Sequence, residues 1–352
     1  MKTKFNINTL IRENIKKMKP YASARSEFVD TTKNMTFLDA NENPFETGLN
    51  RYPDPQQRTL KGVLAEQKGM QIENILLGNG SDEVLDLIFR VFCEPNKDNV
   101  ITLPPTFGIY DVLANTNAIE NRKVVLNADF QPNIEAVLEN ADENSKILFI
   151  CSPNNPTGNT IAAKSVEKLL YSFTGLVVID EAYIDFSFEK SWLSRLEEFP
   201  NLIVTQTLSK AYGLAGIRLG ICYASSQIIT VLNKIKLPYN INELTQQRAL
   251  GRVLKTKEVN HDIIRILNQK NKLLKVLLKV SFIKKIYPSD ANFMLVKVDD
   301  AVKRYQQLLD KGIVLRNRTT QVLLENCLRI TVGTAEDNEQ LIKALKKIES
   351  HG

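Results

Sequence analysis

The amino-acid sequence predicts an α/β protein, with a large domain built on a doubly wound, mostly parallel sheet and a smaller α+β domain. From about residue 50 to about residue 235, short apolar runs alternate with stretches whose apolar residues repeat at helical spacing. A chain of 352 residues is also too long for one small core. Finally, the segment Lys236-Leu237-Pro238-Tyr239-Asn240 interrupts the alternation, and a long helical stretch follows from residue 243 to about residue 280.

This interruption sets the predicted domain boundary. We expect an N-terminal arm over residues 1–45, the large domain over residues 46–240 and the small domain over residues 241–352. Strands of the large domain are expected at residues 99–103, 146–151, 176–180, 202–206 and 217–223. In the small domain they are expected at residues 282–287, 293–298 and 327–332. The apolar spacing between residues 7 and 18 predicts a short helix in the arm.

A strand, a glycine-rich turn and a helix follow one another near residue 80. Residues 74–77 are strand-like, Gly78-Asn79-Gly80-Ser81-Asp82 is a flexible turn, and apolar residues over 84–92 repeat at helical spacing. Backbone N–H groups at such a helix start bind phosphate, and Ser81 suits the N-cap. A dinucleotide site is disfavoured because Glu83 stands where the third glycine of G-x-G-x-x-G belongs. A capped helix that binds nothing remains the plain alternative.

Two further strands end in polar residues. Strand 146–151 leads into the stiff turn Ser152-Pro153-Asn154-Asn155-Pro156-Thr157-Gly158. Strand 176–180 ends in Asp180, at the edge where open α/β sheets bind ligands. A carboxylate there can pair with a protonated pyridine nitrogen. Alternatively, Asp180 only caps the next helix. A third interpretation, the acidic strand of a nucleotide triphosphatase, is disfavoured because the chain has no G-x-x-x-x-G-K-[ST] loop.

Lys210 lies in a loop of small residues, with Arg218 eight positions later. A lysine amine attacks an aldehyde only when it is deprotonated, and burial beside other cations lowers its pKa. Ser209 and Arg218 are candidates for holding the phosphate of such an aldehyde. The bland alternative is a solvated lysine beside a turn.

Two arginines near the C-terminus, Arg316 and Arg329, lie in strand-like segments. Planar guanidinium groups bind anionic substrates through paired hydrogen bonds. Each of these arginines, taken alone, is more typical of a surface salt-bridge partner.

In combination these motifs resemble the pyridoxal-phosphate aminotransferases of fold type I. The resemblance rests on Asn-Asn-Pro-Thr-Gly at residues 154–158, Asp-Glu-Ala-Tyr at 180–183, and Ser-Lys at 209–210 followed by Arg218. Within that superfamily, residues 20–25, 38–44, 51–56 and 327–334 are similar to the histidinol-phosphate aminotransferase family. The matching segments extend from about residue 20 to about residue 334, which is nearly the whole chain.

The resemblance implies pyridoxal 5'-phosphate as the cofactor. Lys210 would bond to it covalently and later move the proton between the substrate carbon and the cofactor. Phe107, where the family often has tyrosine, keeps the surface that lies against the ring. The other cofactor-binding residues are expected to be Asp180 at the pyridine nitrogen, Asn155 and Tyr183 at the phenolic oxygen, Gly80, Ser81, Asp82, Ser209 and Arg218 at the phosphate, and Tyr52 at the phosphate of the partner subunit.

The implied reaction moves an amino group between L-histidinol phosphate and glutamate or 2-oxoglutarate, through pyridoxamine phosphate, in histidine biosynthesis. Arg316 and Arg329, helped by Tyr21, would bind the substrate phosphate and the glutamate carboxylate, and the protein would be a homodimer. A lyase similar to threonine-phosphate decarboxylase and an aromatic amino acid aminotransferase are alternatives, because they share the cofactor machinery. A cofactor-binding regulator is disfavoured, since the chain has no room for a DNA-binding module.

Composition excludes several other classes. Lys and Arg number 46 against 40 Asp and Glu, and the lysines are scattered, so no nucleic-acid partner is expected. Two histidines and no Cys/His cluster predict no metal site. The four widely separated cysteines favour buried free thiols in a reducing compartment. With neither a signal peptide nor a membrane span in the sequence, a cytoplasmic protein is expected.

Overall fold

The computed structural model describes residues 5–21, 25 and 35–350. In this part of the chain, seven strands form a large sheet and four strands form a smaller one, which confirms the predicted α/β class. The strands of the large sheet are β1 Ile75–Asn79, β2 Asn99–Thr102, β3 Glu120–Lys123, β4 Ser145–Cys151, β5 Leu176–Asp180, β6 Leu202–Thr207 and β7 Leu219–Ala224. The helices are α1 Glu13–Lys17, α2 Arg58–Lys68, α3 Gly80–Phe92, α4 Ile109–Thr116, α5 Ile134–Glu139, α6 Ala163–Ser172, α7 Ser226–Ile235, α8 Glu243–Val253, α9 Thr256–Leu277, α10 Ala301–Leu309 and α11 Ala335–Glu349.

The large sheet has the strand order β1-β7-β6-β5-β4-β2-β3. Strand β7 runs antiparallel to both of its neighbours, and the other neighbouring pairs are parallel. Cys151 is opposite Asp180 in the register of β4 and β5, and Thr207 closes β6 two residues beyond the partner of Asp180. The polar ends of the central strands therefore lie along one edge of the sheet.

Helices cover both faces of this sheet, which explains why its central strands are almost wholly apolar. Along β4, Leu148 and Ile150 point into the core beneath α2 and α6. Ile147 and Phe149, which alternate with them along the strand, point into the core beneath α3, α4 and α7. Successive side chains of a strand alternate between the two faces, so a continuous apolar run is needed where both faces are buried.

Helix α3 begins at Gly80, so Ser81 lies in its first turn and is not the N-cap that the sequence predicts. The Asn79 side chain makes no capping bond, and the Asn79 N–H donates to the Glu83 carboxylate instead. Gly80 has a φ of +78°, a conformation that costs little only for glycine. The chain therefore enters the helix earlier than the serine indicates.

The small sheet is antiparallel and has the order β10-β11-β9-β8. Its strands are β8 Ile283–Ile286, β9 Phe293–Val298, β10 Arg316–Asn317 and β11 Cys327–Thr331. Val296 and Ile330 share a core with Leu273 of α9 and Leu345 of α11, so these helices cover one face of the sheet. The three predicted strands are present here, with ends displaced by at most one residue.

The long helical stretch predicted after residue 243 is in fact two helices, α8 and α9, separated at residues 254–255. Ala249 and Val253 of α8 join the core of the large sheet. The domain boundary at residue 240 stays a prediction, although by packing α8 is associated with the large sheet.

In the arm, the predicted helix is a 3-10 turn, Ile7–Thr9, followed by α1. Ile7 and Ile15 are buried in the core beneath α3 and α7. Residues 22–24 of the arm motif lie outside the described residues.

All four cysteines are buried free thiols, as the sequence predicts. Within residues 5–21, 25 and 35–350, no helix combines the length and the apolar character needed to cross a bilayer.

Lys236, in the connection between α7 and α8, provides the first testable prediction. Its buried Nζ donates to the Pro55 carbonyl at 3.2 Å and to Asn240 Oδ1 at 3.2 Å. Burial, and then the nearby Lys61, lower its pKa from 10.5 to about 8. A lysine with a lowered pKa in the folded state binds fewer protons there than in the unfolded chain, so stability rises with pH between the two values.

We expect the stability of the wild type relative to Lys236→Met to increase between pH 8 and pH 10, by at most about 1.4 kcal/mol per pH unit. Urea unfolding at both pH values measures it. The control variant is Lys257→Met, at an exposed position of α9. If the unfolding free energies of Lys236→Met and Lys257→Met changed equally with pH, the pKa of Lys236 would not be lowered in the folded state.

Candidate active site

A cavity of about 410 Å³ lies at the carboxyl edge of the large sheet, and residues of β10 and β11 close its other side. It gathers side chains from distant parts of the chain. The predicted site residues that line it are Ser81, Asp82, Phe107, Asn155, Asp180, Tyr183, Ser209, Lys210, Arg218, Arg316 and Arg329. The sequence motifs thus meet in one place, because the parallel strands all end at this edge.

One end of the cavity is suited to a phosphate group. Arg218 adopts a left-handed conformation, and its carbonyl accepts from the Gly80 N–H at 2.9 Å. Its guanidinium crosses the start of α3 and donates to Asp82 Oδ2 at 3.1 Å. A Cβ on Gly80 would lie 2.6 Å from Arg218 Nη2, so only glycine permits this approach. Backbone N–H groups of a helix start, the Ser209 hydroxyl and a guanidinium are the donors that phosphate requires.

Gly220 of β7 packs directly against the backbone of Gly80 and Ser81 at the start of α3. It is the subject of a second prediction. A Cβ at this position would lie 2.2 Å from the backbone nitrogen of Ser81. Because that neighbour is backbone, Gly220→Ala must displace the start of α3. We expect a loss of about 1–3 kcal/mol in unfolding free energy, and weaker binding of pyridoxal phosphate.

Urea unfolding and a fluorescence titration with the cofactor measure these two effects. Gly251→Ala in α8 is the matched control, because a Cβ at that position meets nothing within 4 Å and alanine favours a helix. If Gly220→Ala binds the cofactor as tightly as Gly251→Ala, the start of α3 does not hold the phosphate.

Asp180 is a buried carboxylate with only neutral donors. The Tyr110 hydroxyl donates to Oδ2 at 2.9 Å and the Ala182 N–H donates to Oδ1 at 3.2 Å. Burial raises the pKa of this carboxyl. Among the described residues, no Lys or Arg lies within ion-pair distance of it. A buried carboxylate without a cation suits a ligand that brings the positive charge, such as a protonated pyridine nitrogen.

Tyr110 is a site residue that the sequence analysis missed. It lies on α4, is 1% exposed, and stacks on Phe149 with ring centroids 4.8 Å apart. In the sequence it reads as one apolar residue among others of a core helix. The available signal was the hydroxyl, because a buried tyrosine needs a polar partner.

Lys210 is half-buried in the middle of the cavity. Burial, and then the charges of Arg329 and Arg218, lower the pKa of its amine. Its Nζ lies 5.8 Å from the centroid of the Tyr183 ring. These are the surroundings that favour the neutral, nucleophilic form of a lysine.

Asn155 and Tyr183 lie beside Lys210. Asn155 Oδ1 accepts from Arg329 Nη1 at 2.5 Å, which leaves the amide N–H groups of Asn155 as donors towards the cavity. The Tyr183 ring packs edge-on against Phe293 with centroids 5.1 Å apart. Phe107 also lines the cavity wall and packs edge-on against Tyr110, with ring centroids 5.7 Å apart. A flat ring bound between these walls would meet donors at its edge.

Tyr21 and Tyr52, also predicted site residues, do not line this cavity. Both line a second, more open one beside α1 and the connection after α7. There Tyr52 stacks on Tyr239 with ring centroids 4.5 Å apart, and the Tyr21 side chain is 76% exposed. Their roles in catalysis stay predictions.

Comparison with known proteins defines the class to which this fold and site belong. The family model for aminotransferase class I and II matches residues 35–345. The chain therefore belongs to this aminotransferase family, and the resemblance found in its sequence is confirmed.

Individual relatives are more specific. A histidinol-phosphate aminotransferase from Flavobacterium johnsoniae is 64% identical over 343 residues, which cover 97% of this chain and 98% of that protein. The crystal structure of histidinol-phosphate aminotransferase from Sinorhizobium meliloti in complex with pyridoxal-5'-phosphate has a TM-score of 0.78 and 25% identity, covering 86% of this chain and 84% of that one. The crystal structure of the histidinol-phosphate aminotransferase from Clostridium acetobutylicum has a TM-score of 0.80 at 22% identity, covering 87% of this chain and 92% of that one. This likeness supports the fold type I assignment.

Proposed function

We propose that this protein is a pyridoxal-phosphate-dependent aminotransferase that moves an amino group between L-histidinol phosphate and glutamate or 2-oxoglutarate. One observation carries the proposal: a lysine with a lowered pKa, a buried carboxylate without a cation and a phosphate cradle line the same cavity. The name of the Flavobacterium johnsoniae relative supports histidinol phosphate as the substrate. The arginines at the other end of the cavity are consistent with an anionic substrate.

When bound, pyridoxal phosphate supplies a reactive carbonyl carbon and an electron-withdrawing ring. Lys210 Nζ would take the proton from the substrate carbon that bears the amine and would deliver it to the former carbonyl carbon of the cofactor. Asp180 would hold a proton on the ring nitrogen by charge, and the Tyr110 hydroxyl, which donates to Asp180 Oδ2, would keep that carboxylate in place. Asn155 and Tyr183, which both line the cavity, would donate hydrogen bonds to the phenolic oxygen.

We also propose that the protein is a homodimer. In the described part of the chain, Leu38, Phe45 and Leu49 are large apolar side chains that are 88%, 77% and 53% exposed. They lie within 15 residues of Tyr52. The Tyr52 side chain is 51% exposed and does not line the candidate active-site cavity of its own chain. Pairing of two copies through this segment would bury apolar surface and carry Tyr52 to the phosphate end of the partner subunit's cavity. The buried free thiols support a cytoplasmic location.

The purified protein with pyridoxal phosphate tests the proposal. Addition of histidinol phosphate should convert the absorbance of the aldehyde form of the cofactor to that of the amine form, and 2-oxoglutarate should reverse the change. A protein whose spectrum does not change would contradict it. Release of carbon dioxide from threonine phosphate would favour the lyase, and equal rates with aromatic amino acids would favour the aromatic aminotransferase.

A further inference from the structure

A third arginine stands beside the two that the sequence motifs single out. Arg316 of β10 is directly opposite Arg329 of β11 in the strand register, and Arg318 follows Arg316 by two residues. The Arg318 N–H donates to the Cys327 carbonyl, which continues the ladder. Alternate residues of a strand share one face, so all three guanidinium groups reach the same cavity.

This arrangement has an excess of positive charge. Five cationic side chains and two acidic ones line the cavity. Asp82 already pairs with Arg218 at the phosphate end, and Asp180 lies at the floor. Like charges directly opposite one another in a ladder destabilise it. The three C-terminal arginines therefore form a cluster, named here the arginine cluster, that lacks a counter-charge among the described residues.

The Arg318 side chain shows this most clearly. Burial, and then the charges of Arg329 and Arg316, lower its pKa to about 10. Its Nε is buried without a hydrogen-bond partner, and so are Arg329 Nε and Gln321 Oε1. A buried donor of a charged group is costly when it is unpaired. Since only the backbone of Arg318 takes part in the ladder, its side chain has no structural partner in the described part of the chain.

We propose that Arg318 makes the arginine cluster selective for a phosphate monoester over a carboxylate. A carboxylate has two oxygens in a plane and is satisfied by one guanidinium. A phosphate monoester carries a charge near −2 at neutral pH and three strong acceptor oxygens, so it can engage a second and a third. Arg318 supplies the additional donors. The inference deepens the proposed function, because it assigns the phosphate of the substrate to these three residues.

Equilibrium binding to the holoenzyme tests the proposal without catalysis. The two probes lack an amine and cannot react: 3-(imidazol-4-yl)propyl phosphate for the phosphorylated substrate and glutarate for glutamate. Calorimetric titration of Arg318→Gln should show about 10- to 100-fold weaker binding of the phosphate ester and less than about 3-fold weaker binding of glutarate. Arg265→Gln, an exposed arginine of α9 that is remote from the arginine cluster in the sequence, is the charge-matched control and should change neither.

The pH dependence separates recognition from a structural effect. The second pKa of a phosphate ester is about 6, so wild-type affinity for it should increase from pH 5.5 to pH 7.5. In Arg318→Gln that increase should be smaller. Thermal unfolding without ligand should occur at the same or a higher temperature in the variant, because a like charge has been removed.

Two outcomes would overturn the inference. Equal weakening of both probes would assign Arg318 to general anion attraction, and unchanged binding of the phosphate ester would leave it no role in recognition. Either result is compatible with normal transamination of histidinol phosphate by the wild type. By contrast, a wild type that neither transaminates histidinol phosphate nor binds the phosphate ester would contradict the proposed function itself.

Discussion

Replacement of Lys210 by alanine is expected to lower turnover by more than about 10⁴-fold, the largest effect of any single substitution in this chain. Lys210 is the amine in the cavity whose pKa burial and two neighbouring arginines lower. Under the proposed function, its removal would delete both the covalent anchor of the cofactor and the base that moves the substrate proton. Steady-state kinetics with histidinol phosphate and 2-oxoglutarate measures the loss.

A structural explanation of that loss can be tested separately. Lys190→Ala removes an exposed lysine and should retain full activity. Borohydride reduction of the wild type with pyridoxal phosphate should attach the pyridoxyl group to Lys210, as peptide mass spectrometry would show. Added methylamine should restore part of the proton transfer to Lys210→Ala. Substantial unassisted turnover by the variant, or an adduct at another lysine, would remove Lys210 from the reaction.

Asp180→Asn is expected to lower turnover by about 10²- to 10³-fold, because a neutral amide does not hold a proton on the pyridine nitrogen. The same change should not weaken the cofactor-free protein. Burial raises the pKa of Asp180, so its ionised form costs stability at pH values above the pKa of an ordinary aspartate, and that cost grows as pH rises through the folded-state pKa. We therefore expect equal or greater resistance to urea at pH 7 in the variant without cofactor.

Asp185→Asn is the matched control, since Asp185 also has a pKa raised by burial and does not line the cavity. It should leave turnover within about 2-fold of the wild type, in the range usual for substitutions away from a site. Tyr110→Phe keeps the stacked ring and removes only the hydrogen bond to Asp180, so its loss of turnover should be intermediate, about 10-fold. Normal turnover of Asp180→Asn would mean that the ring nitrogen does not face this carboxylate.

The sequence predicted much of the large sheet because its central strands are buried on both faces. Continuous apolar runs such as residues 147–151 are typical of strands that are buried on both faces. Strand β3, Glu-Asn-Arg-Lys at the sheet edge, carries no such pattern and was missed, since an edge strand is exposed and polar. The break between α8 and α9 was also missed, because it falls at Leu254 and Lys255, and the nearest glycine, Gly251, lies inside α8.

The sequence predicted that the motif residues at strand ends would line one site, because the carboxyl ends of parallel strands share one edge of the sheet. Tyr110 and Arg318 were not predictable, for a different reason in each case. The Tyr110 hydroxyl meets Asp180 from 70 residues away in the sequence, so its partner is a property of the packed fold. Arg318 resembles any strand arginine until the register shows that no carboxylate accompanies it.

The antiparallel pairing of β6 with β7 limits how this enzyme can tolerate insertions and deletions. Thr207 and Gly220 are opposite each other, so the connection formed by residues 208–218 leaves and re-enters the sheet at nearly the same place. Hydrogen bonds from Gly213 to Lys210 and from Leu214 to Leu208 make the excursion compact. An added or lost residue in it would change the span between Lys210 and Arg218, the two residues proposed to hold opposite ends of the cofactor. Variation in chain length is therefore expected in other connections, and engineered linkers should be placed there.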